Sequence, residues 1–393
     1  MKKFLSAALA LCLAFSLAAC GGSGSSTPAS TAPSGGTAGS GAAIKIGGIG
    51  PVTGSTAVYG NAVKNGAEIA IAEINALGGQ QYEMKFEDDE NDAEKAINAY
   101  NSLKDWGMQL SLGSVTSKPG EATSVENYED RIFALTPSAS SQATTEGKDN
   151  VFQMCFMDPN QGTASARYID EQDLGTKIAI IWKNDDVYSK GIHDNFVEEA
   201  EARGLEIVSD TTFATGNDTD FSVQVADAQS NGADLVFLPI YYTPASLILS
   251  QANSVGYDPA WFGVDGMDGI LTMDGFDATL AEGVMLLTPF NADAEDEKTQ
   301  SFVTKYEEQF GETPNQFAAD AYDCIYAYYQ ALTNANATPD MDAETLCGLM
   351  QEQFTSMTFT GLTGTDMTWD ATGAVSKEPR GMVIQNGAYV GMD

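Results

Sequence analysis

Across residues 44–263 the chain alternates short β-branched runs with amphipathic helical stretches, and it does so twice. In the first block "IKIGGIG", "YEMKFEDD", "MQLSLGS" and "IFALTP" read as strands. Helices are predicted at 61–77, 93–106 and near 120–128, with a polar loop after the fourth strand. The second block opens on helical "QGTASARYIDEQD" and carries the strands "KIAIIWKN", "LEIVSDTTF", "ADLVFLPI" and "AWFGVDG". Its helices are "KGIHDNFVEEAEARG", closed by Gly204, then 221–231 and 244–255. Continuous apolar strands with a helix between each pair make parallel sheets covered on both faces. The expected fold class is therefore α/β, with two doubly wound, Rossmann-like lobes of similar winding. The last hundred residues differ, with helices predicted at 295–310, 317–334 and 343–354 before two β-like stretches. A segment of this kind can cross back to cover the first lobe.

The first residues, "MKKFLSAALALCLAFSLAAC", bear on location. Two lysines precede an apolar run too short to span a bilayer, and small residues lead into Cys20. This is the pattern of a bacterial lipoprotein signal, residues 1–20, with Cys20 as the lipid-bearing residue. Residues 21–43 contain no charge and no large apolar side chain, so they cannot bury enough surface to fold and read as a flexible tether. The expectation is an extracytoplasmic body, lipid-anchored to the membrane of a bacterium of Gram-positive type and touching that membrane only through its anchor.

Residues 44–393 are long for one core and fit two lobes. Without Lys2 and Lys3, 17 basic residues face 55 acidic ones, a net charge of −38. Such a surface repels nucleic acid and offers no basic stripe to bind it. Cys155, Cys324 and Cys347 have no C-x-x-C spacing; a Cys324–Cys347 bridge is open to them, but the favoured reading is three free, mostly buried thiols. The single histidine, His193, reads as a surface residue near a helix start and leaves a metal cluster or Ser/His/Asp triad without support. Neither "EDDENDAE" nor "DGMDGILTMDGFD" fits a calcium loop. No metal and no cofactor is expected.

Ligands of open parallel sheets bind beyond the carboxyl ends of the strands. In the first block those ends read "GPVTGSTAVYG", "GSVTSKPG" and "TPSASSQATT". The first is too long a turn for a pyrophosphate, lacks G-x-G-x-x-G spacing and loses a donor at Pro51. It ends on Tyr59. The other two offer Thr116, Ser117, Ser138 and Ser140 at helix starts, where hydroxyls and unpaired amides hold an anion or simply cap the helix. The second block supplies Tyr188, Tyr241, Tyr242, Asp265 and Asp268. Donors, a carboxylate and an aromatic wall together suit an α-amino acid, which carries a carboxylate, an ammonium and an apolar side chain. A hydrolase built on Ser117 or Ser138 would need a nearby histidine or a G-x-S-x-G elbow, and the chain has neither.

With these residues in place, the body resembles the leucine/isoleucine/valine-type binding proteins of ABC transporters, which are type 1 periplasmic binding proteins. The landmarks are "GPVTGSTAVYG", "GAEIAIAEINALGG", "GSVTSKP", "LTPSASS", "DPNQG", "YSKG", "ADLVFLPIYYTP", "WFGVDG" and "AADAYDCIYAY", in that order. The resemblance implies lobe one at 44–157 plus 291–361 and lobe two at 158–290 plus 362–393, joined by a three-strand hinge. It implies that Ser117, Ser138 and Ser140 hold the ligand's carboxylate and ammonium, that Tyr59 lines the side-chain pocket, and that Tyr188 and Tyr241 close from lobe two. Asp265 falls where the family carries an acidic partner for the ammonium. The cystine of better-known members has no counterpart, since the corresponding places read "DDEND" and "LGSVTS". The implied function is that of a monomeric, non-catalytic receptor delivering an amino acid to an ABC permease. Alternatives within the resemblance are another small carboxylate or amide as ligand, or a sensing subunit.

Overall fold

The computed structural model describes residues 42–392. The signal sequence, Cys20 and nearly all of the tether lie outside them. The first block forms β1 (Ala43–Gly50), α1 (Ala57–Ala76), β2 (Gln81–Asp88), α2 (Ala93–Trp106), β3 (Leu110–Ser114), α3 (Ser117–Glu129), β4 (Phe133–Thr136), α4 (Gln142–Thr145) and β5 (Val151–Gln153). The second forms α5 (Asp158–Glu171), β6 (Lys177–Lys183), α6 (Val187–Arg203), β7 (Glu206–Phe213), α7 (Ser222–Ser230), β8 (Leu235–Leu238), α8 (Tyr242–Ser254), β9 (Ala260–Gly263) and β10 (Met285–Leu287). Helices α9 (Glu297–Phe310), α10 (Gln316–Asn334) and α11 (Ala343–Phe354) precede the hairpin β11 (Gly381–Gln385) and β12 (Ala388–Gly391).

Two sheets result. The first has the order β2-β1-β3-β4-β5, parallel throughout. The second runs β7-β6-β8-β9-β10 in parallel, then β11 and β12 antiparallel at its end. Numbered within each block, both sheets wind 2-1-3-4-5. The chain passes between them after β5, after β10 and before β11.

Local sequence accounts for the element ends. Asp92 caps α2 and Asp186 caps α6 through side-chain bonds to first-turn amides. Gly204 ends α6 at φ 78°, a left-handed cap that costs glycine little. Helix α10 lies against α1, and the approach is so close that a Cβ on Gly66 would sit 2.0 Å from the Ala318 carbonyl oxygen. Glu73 of α1 ties the same layer together, accepting Lys305 Nζ at 2.6 Å and the Tyr322 and Tyr326 hydroxyls at 2.7 Å each. On the last passage Trp369 Nε1 donates to the Gln153 carbonyl at 2.8 Å. Lys377 then meets Asp320 at 2.5 Å, with both side chains only 2% exposed.

Four sequence expectations are amended. The polar loop after β4 contains the turn α4 and a fifth strand, β5, too short at three residues to stand out from its surroundings. Strand β10 escaped notice for the same reason. Helix α1 begins at Ala57, one turn earlier than its apolar pattern suggests, which puts Tyr59 in its first turn. His193 is a buried residue within α6, not a surface one. It stacks on Trp182 at 4.0 Å and bridges Asp194 and Asp210 at 3.0 and 3.1 Å, contacts that depend on β6 and β7 and have no sequence signature. The three described cysteines are free and buried, as their spacing suggests.

Candidate functional site

The carboxyl ends of both sheets meet at one small cavity. It is lined by Tyr59, Val115, Thr116, Ser117, Ser138, Tyr188, Tyr241, Asp265, Gly266 and Phe317. Larger cavities exist elsewhere between the lobes, but this one brings hydroxyls, a helix start, tyrosine rings and a buried carboxylate together.

Lobe one contributes two stitched loops. Ser138 Oγ donates to the Val115 carbonyl at 2.5 Å, and Thr136 Oγ1 donates to the Ser114 carbonyl at 2.8 Å. Ser117 Oγ accepts from the amides of Ser140 and Ser141, both at 3.2 Å. An oxygen that accepts twice still has its proton to give. The buried Thr116 hydroxyl has no hydrogen-bond partner among the described residues. Helix α3, thirteen residues long, begins at Ser117 on the cavity wall. With Pro119 lacking an N–H and Gly120 bonded to the Thr116 carbonyl, the Ser117 and Lys118 amides and the positive dipole end are what it offers there, and they suit a carboxylate. Neither Thr116, before α3, nor Ser141, before α4, caps its helix through its side chain.

Lobe two contributes rings and charge. Tyr188 Oη donates to Asp265 Oδ1 at 2.6 Å and accepts from the Gly266 amide at 2.9 Å. Its ring stacks on Tyr241, with centroids 4.6 Å apart. The Asp265 amide donates to Gln161 Oε1 at 3.1 Å, which fixes the turn that carries the carboxylate. Burial pushes the Asp265 carboxyl up to about 7, against the pull of Tyr188, Gln161 and the Gly266 amide. Burial also raises the Asp158 carboxyl, next to the same site, well above the usual carboxylate range, with the Ser140 hydroxyl opposing and the Asp265 charge adding to the rise. No lysine, arginine or histidine lines the cavity. A cationic group of a ligand is what this place lacks.

Tyr59 joins the two sides. Its hydroxyl donates to the Gly266 carbonyl at 2.5 Å and accepts from the Tyr242 amide at 3.2 Å. Its ring lies 4.6 Å from Phe317 and 5.4 Å from Tyr241. Thr243 Oγ1 donates to the Ser55 carbonyl at 2.6 Å, and Gln316 Nε2 donates to the Asp265 carbonyl at 3.1 Å. The lobes thus stand closed, around about 10 Å³ of free space, the room of a single water. An amino acid enters only if the lobes part and these bonds break.

Of the residues singled out from sequence, Tyr59, Ser117, Ser138, Tyr188, Tyr241 and Asp265 line this cavity. Ser140 sits behind it, fully buried, with its carbonyl accepting from the Asp158 amide at 3.0 Å. Phe317, Gly266, Val115 and Gln161 were not anticipated. Phe317 opens α10, far along the chain, and only the return of that helix to lobe one brings it here. Among the described residues no group of three or more His, Cys, Asp or Glu side chains is placed to hold a metal ion.

This architecture, two lobes of one winding with a polar site between their strand ends, is that of a bilobal solute-binding protein. A family model of periplasmic binding proteins matches residues 43–388, and the chain belongs to that family. Membership implies an extracytoplasmic location, and among the described residues no helix is long and apolar enough to cross a membrane. The Leu/Ile/Val-binding protein BraC3 of Rhizobium johnstonii is 31% identical over 229 residues, 57% of this chain and 62% of that protein. The chain therefore spans about six tenths of this relative's length, as it does of a Leu/Ile/Val-binding protein homolog from Brucella melitensis, at 61%. The leucine-, isoleucine-, valine-, threonine- and alanine-binding protein of Pseudomonas aeruginosa is 28% identical over 310 residues, 77% of this chain and 82% of the relative. Among solved structures, the branched-chain amino acid transporter substrate binding protein LivJ from Streptococcus pneumoniae, in complex with isoleucine, superposes with a TM-score of 0.80. It is 28% identical, with 88% of this chain and 97% of that one covered. A solute binding protein from R. palustris in complex with benzoate reaches the same TM-score at 20% identity, covering 89% of this chain and 95% of that one, a likeness of fold alone.

Proposed function

We propose that the protein is the solute-binding receptor of an ABC importer and closes its two lobes over an apolar, branched-chain-type α-amino acid. The observation that carries this reading is the pairing of opposites across one cavity. The amino end of α3 with Thr116 and Ser117 faces Asp265, buried with no cationic side chain lining the cavity beside it, and aromatic rings fill the space between. A zwitterion buried there has a partner for each charge, which a buried charge requires. Ser138 stands beside the carboxylate side, and Ser140 acts from behind it through Ser117. Tyr59, Phe317, Tyr188 and Tyr241 enclose the apolar side chain. The names of the relatives, binding proteins for leucine, isoleucine and valine, point to the same ligand class.

Closure is a population shift driven by contacts made to both lobes at once. The protein performs no catalysis on its ligand and hands it to a membrane permease. Lipid on Cys20 and the tether of residues 21–43 keep the folded body beside that permease. A thermal-shift and calorimetric screen tests the ligand class. L-Leucine, L-isoleucine and L-valine are expected to raise the melting temperature, with a stabilisation of about 2.7 kcal/mol at a hundred times Kd. A response to benzoate with none to any amino acid would overturn the reading.

A further inference from the structure

Beside the passage that leaves β10 lies another cavity, of about 330 Å³, which shares no lining residue with the inner site. Both lobes build it. Asp268, Leu271 and Tyr389 come from lobe two, Phe290 and Asp293 from the passage itself, and Glu312 from the turn before α10. Three of these side chains are acidic, and no lysine, arginine or histidine lines the cavity. Asp293 and Glu312 are exposed at its rim, whereas Asp268 is only 2% exposed. Asp268 Oδ2 accepts the Gln316 amide at 2.9 Å, and Oδ1 has no hydrogen-bond partner among the described residues.

A buried carboxylate oxygen with no donor costs stability until one reaches it. Burial raises the Asp268 carboxyl to about 6, against the Gln316 amide and the Tyr389 hydroxyl, so it is charged at pH 7.5. Among the described residues no three acidic groups converge on a metal ion, and Leu271, Phe290 and Tyr389 give the cavity apolar walls. The cation that fits such a place is organic. We propose that this cavity is a second ligand site, binding a small aliphatic ammonium against Asp268 with its chain along Leu271, Phe290 and Tyr389. Asp293 and Glu312 draw the cation in, and in a diamine they meet the far ammonium. The site is also wired to the inner one. Gln316, whose amide bonds Asp268 across the lobes, donates through Nε2 to the Asp265 carbonyl at 3.1 Å. A ligand held by both lobes favours the closed form, so amine and amino acid bind with positive coupling. The coupling rests on the receptor reading, and the site itself does not.

Two measurements test it, one without amino acid. Thermal-shift titration of the protein uses n-butylamine and 1,4-diaminobutane as probes, against 1-butanol and sodium chloride of matched ionic strength. Both amines are expected to raise the melting temperature saturably, the diamine at lower concentration, and butanol and salt should not. Asp268→Asn keeps an oxygen for the Gln316 amide but removes the charge, and should abolish the response. If that variant does not fold, the exposed pair Asp293→Asn with Glu312→Gln decides. It should weaken the diamine response about two- to five-fold, the range of exposed ion pairs, and leave L-leucine binding as in the wild type. In calorimetry, saturating diamine should tighten L-leucine binding about five-fold or more. A response equal to that of salt, or one undiminished in these variants, would overturn the site. Competition between diamine and leucine would overturn it too, by placing the amine at Asp265, and an unchanged leucine affinity would overturn the coupling. If no form binds leucine, the amino-acid reading fails while the thermal titration still decides the site.

Discussion

The two lobes wind identically and are chemically opposite. Each places the ends of its first, third and fourth strands at the cleft, because the order 2-1-3-4-5 puts the topological switch beside the first strand in both. Lobe one fills those ends with small hydroxyls and a helix start, and lobe two with tyrosines and a carboxylate. The lobes also finish differently. Sheet one is backed by the returning α10 and α11, whereas sheet two is extended by the hairpin β11–β12. Winding therefore decides which strand ends face the cleft, and residue chemistry decides what each lobe offers there.

The sharpest way to break this arrangement is at the passage both lobes share. Lys377→Met leaves Asp320 buried without its counter-ion and should cost about 3–5 kcal/mol in chemical denaturation. Adding Asp320→Asn should recover much of the loss, and failure to recover any would show that the pair does not act as a unit.

Next comes the charged end assigned to lobe two. Asp265→Asn should weaken L-leucine binding by about 2 kcal/mol or more, because it strands a buried ammonium. The same carboxyl, raised to about 7 by burial, is mostly protonated at pH 6 in the free protein. Binding an ammonium favours its ionised form, so binding below pH 7 should release a proton, and affinity should climb with pH up to about 7 and then level. Calorimetry at pH 6 in two buffers of different ionisation enthalpy reads the proton directly. An equal apparent enthalpy in both would exclude Asp265 as the ammonium's partner.

On the opposite lobe, Ser117→Ala strips the acceptor from two buried amides and should lower stability by about 1–2 kcal/mol, along with ligand affinity. A loss of affinity larger than that from Asp265→Asn would reverse the assignment of the strong end to lobe two.

The smallest effect belongs to His193, remote from the cleft. Burial lowers its pKa, but the hydrogen bonds that its ring donates to the Asp210 and Asp194 carboxylates outweigh burial and raise it above the ordinary 6.5. A raised histidine contributes stability that is full below the unfolded value and lost as pH climbs through the folded one. The melting-temperature advantage of the wild type over His193→Gln should therefore be largest near pH 6 and shrink above it. A gap that does not change with pH would mean that only the stacking on Trp182 matters.

Sequence reasoning reached far where the signal was local. Period and composition were enough for the strand–helix alternation, for the bounds of α2 at Ala93–Trp106, and for the hydroxyl and tyrosine character of the strand ends. It failed where three residues make a strand, as in β5 and β10, since so short a run carries no period. It also failed for His193, whose burial comes from Trp182 and from an aspartate on the next strand.

By itself, then, the sequence determined the layers and their repeated winding, because apolar periodicity and helix caps act over a few residues. It also determined the chemistry available at each strand end. Only the tertiary structure decided which of those ends meet. Phe317 arrives from α10 and Gln161 from α5, and Ser140 is withdrawn behind Ser117, because these placements depend on contacts between segments far apart in the chain. The closed cleft is likewise tertiary, since Tyr59 reaches Gly266, 207 residues away, only when two separately folded sheets come together.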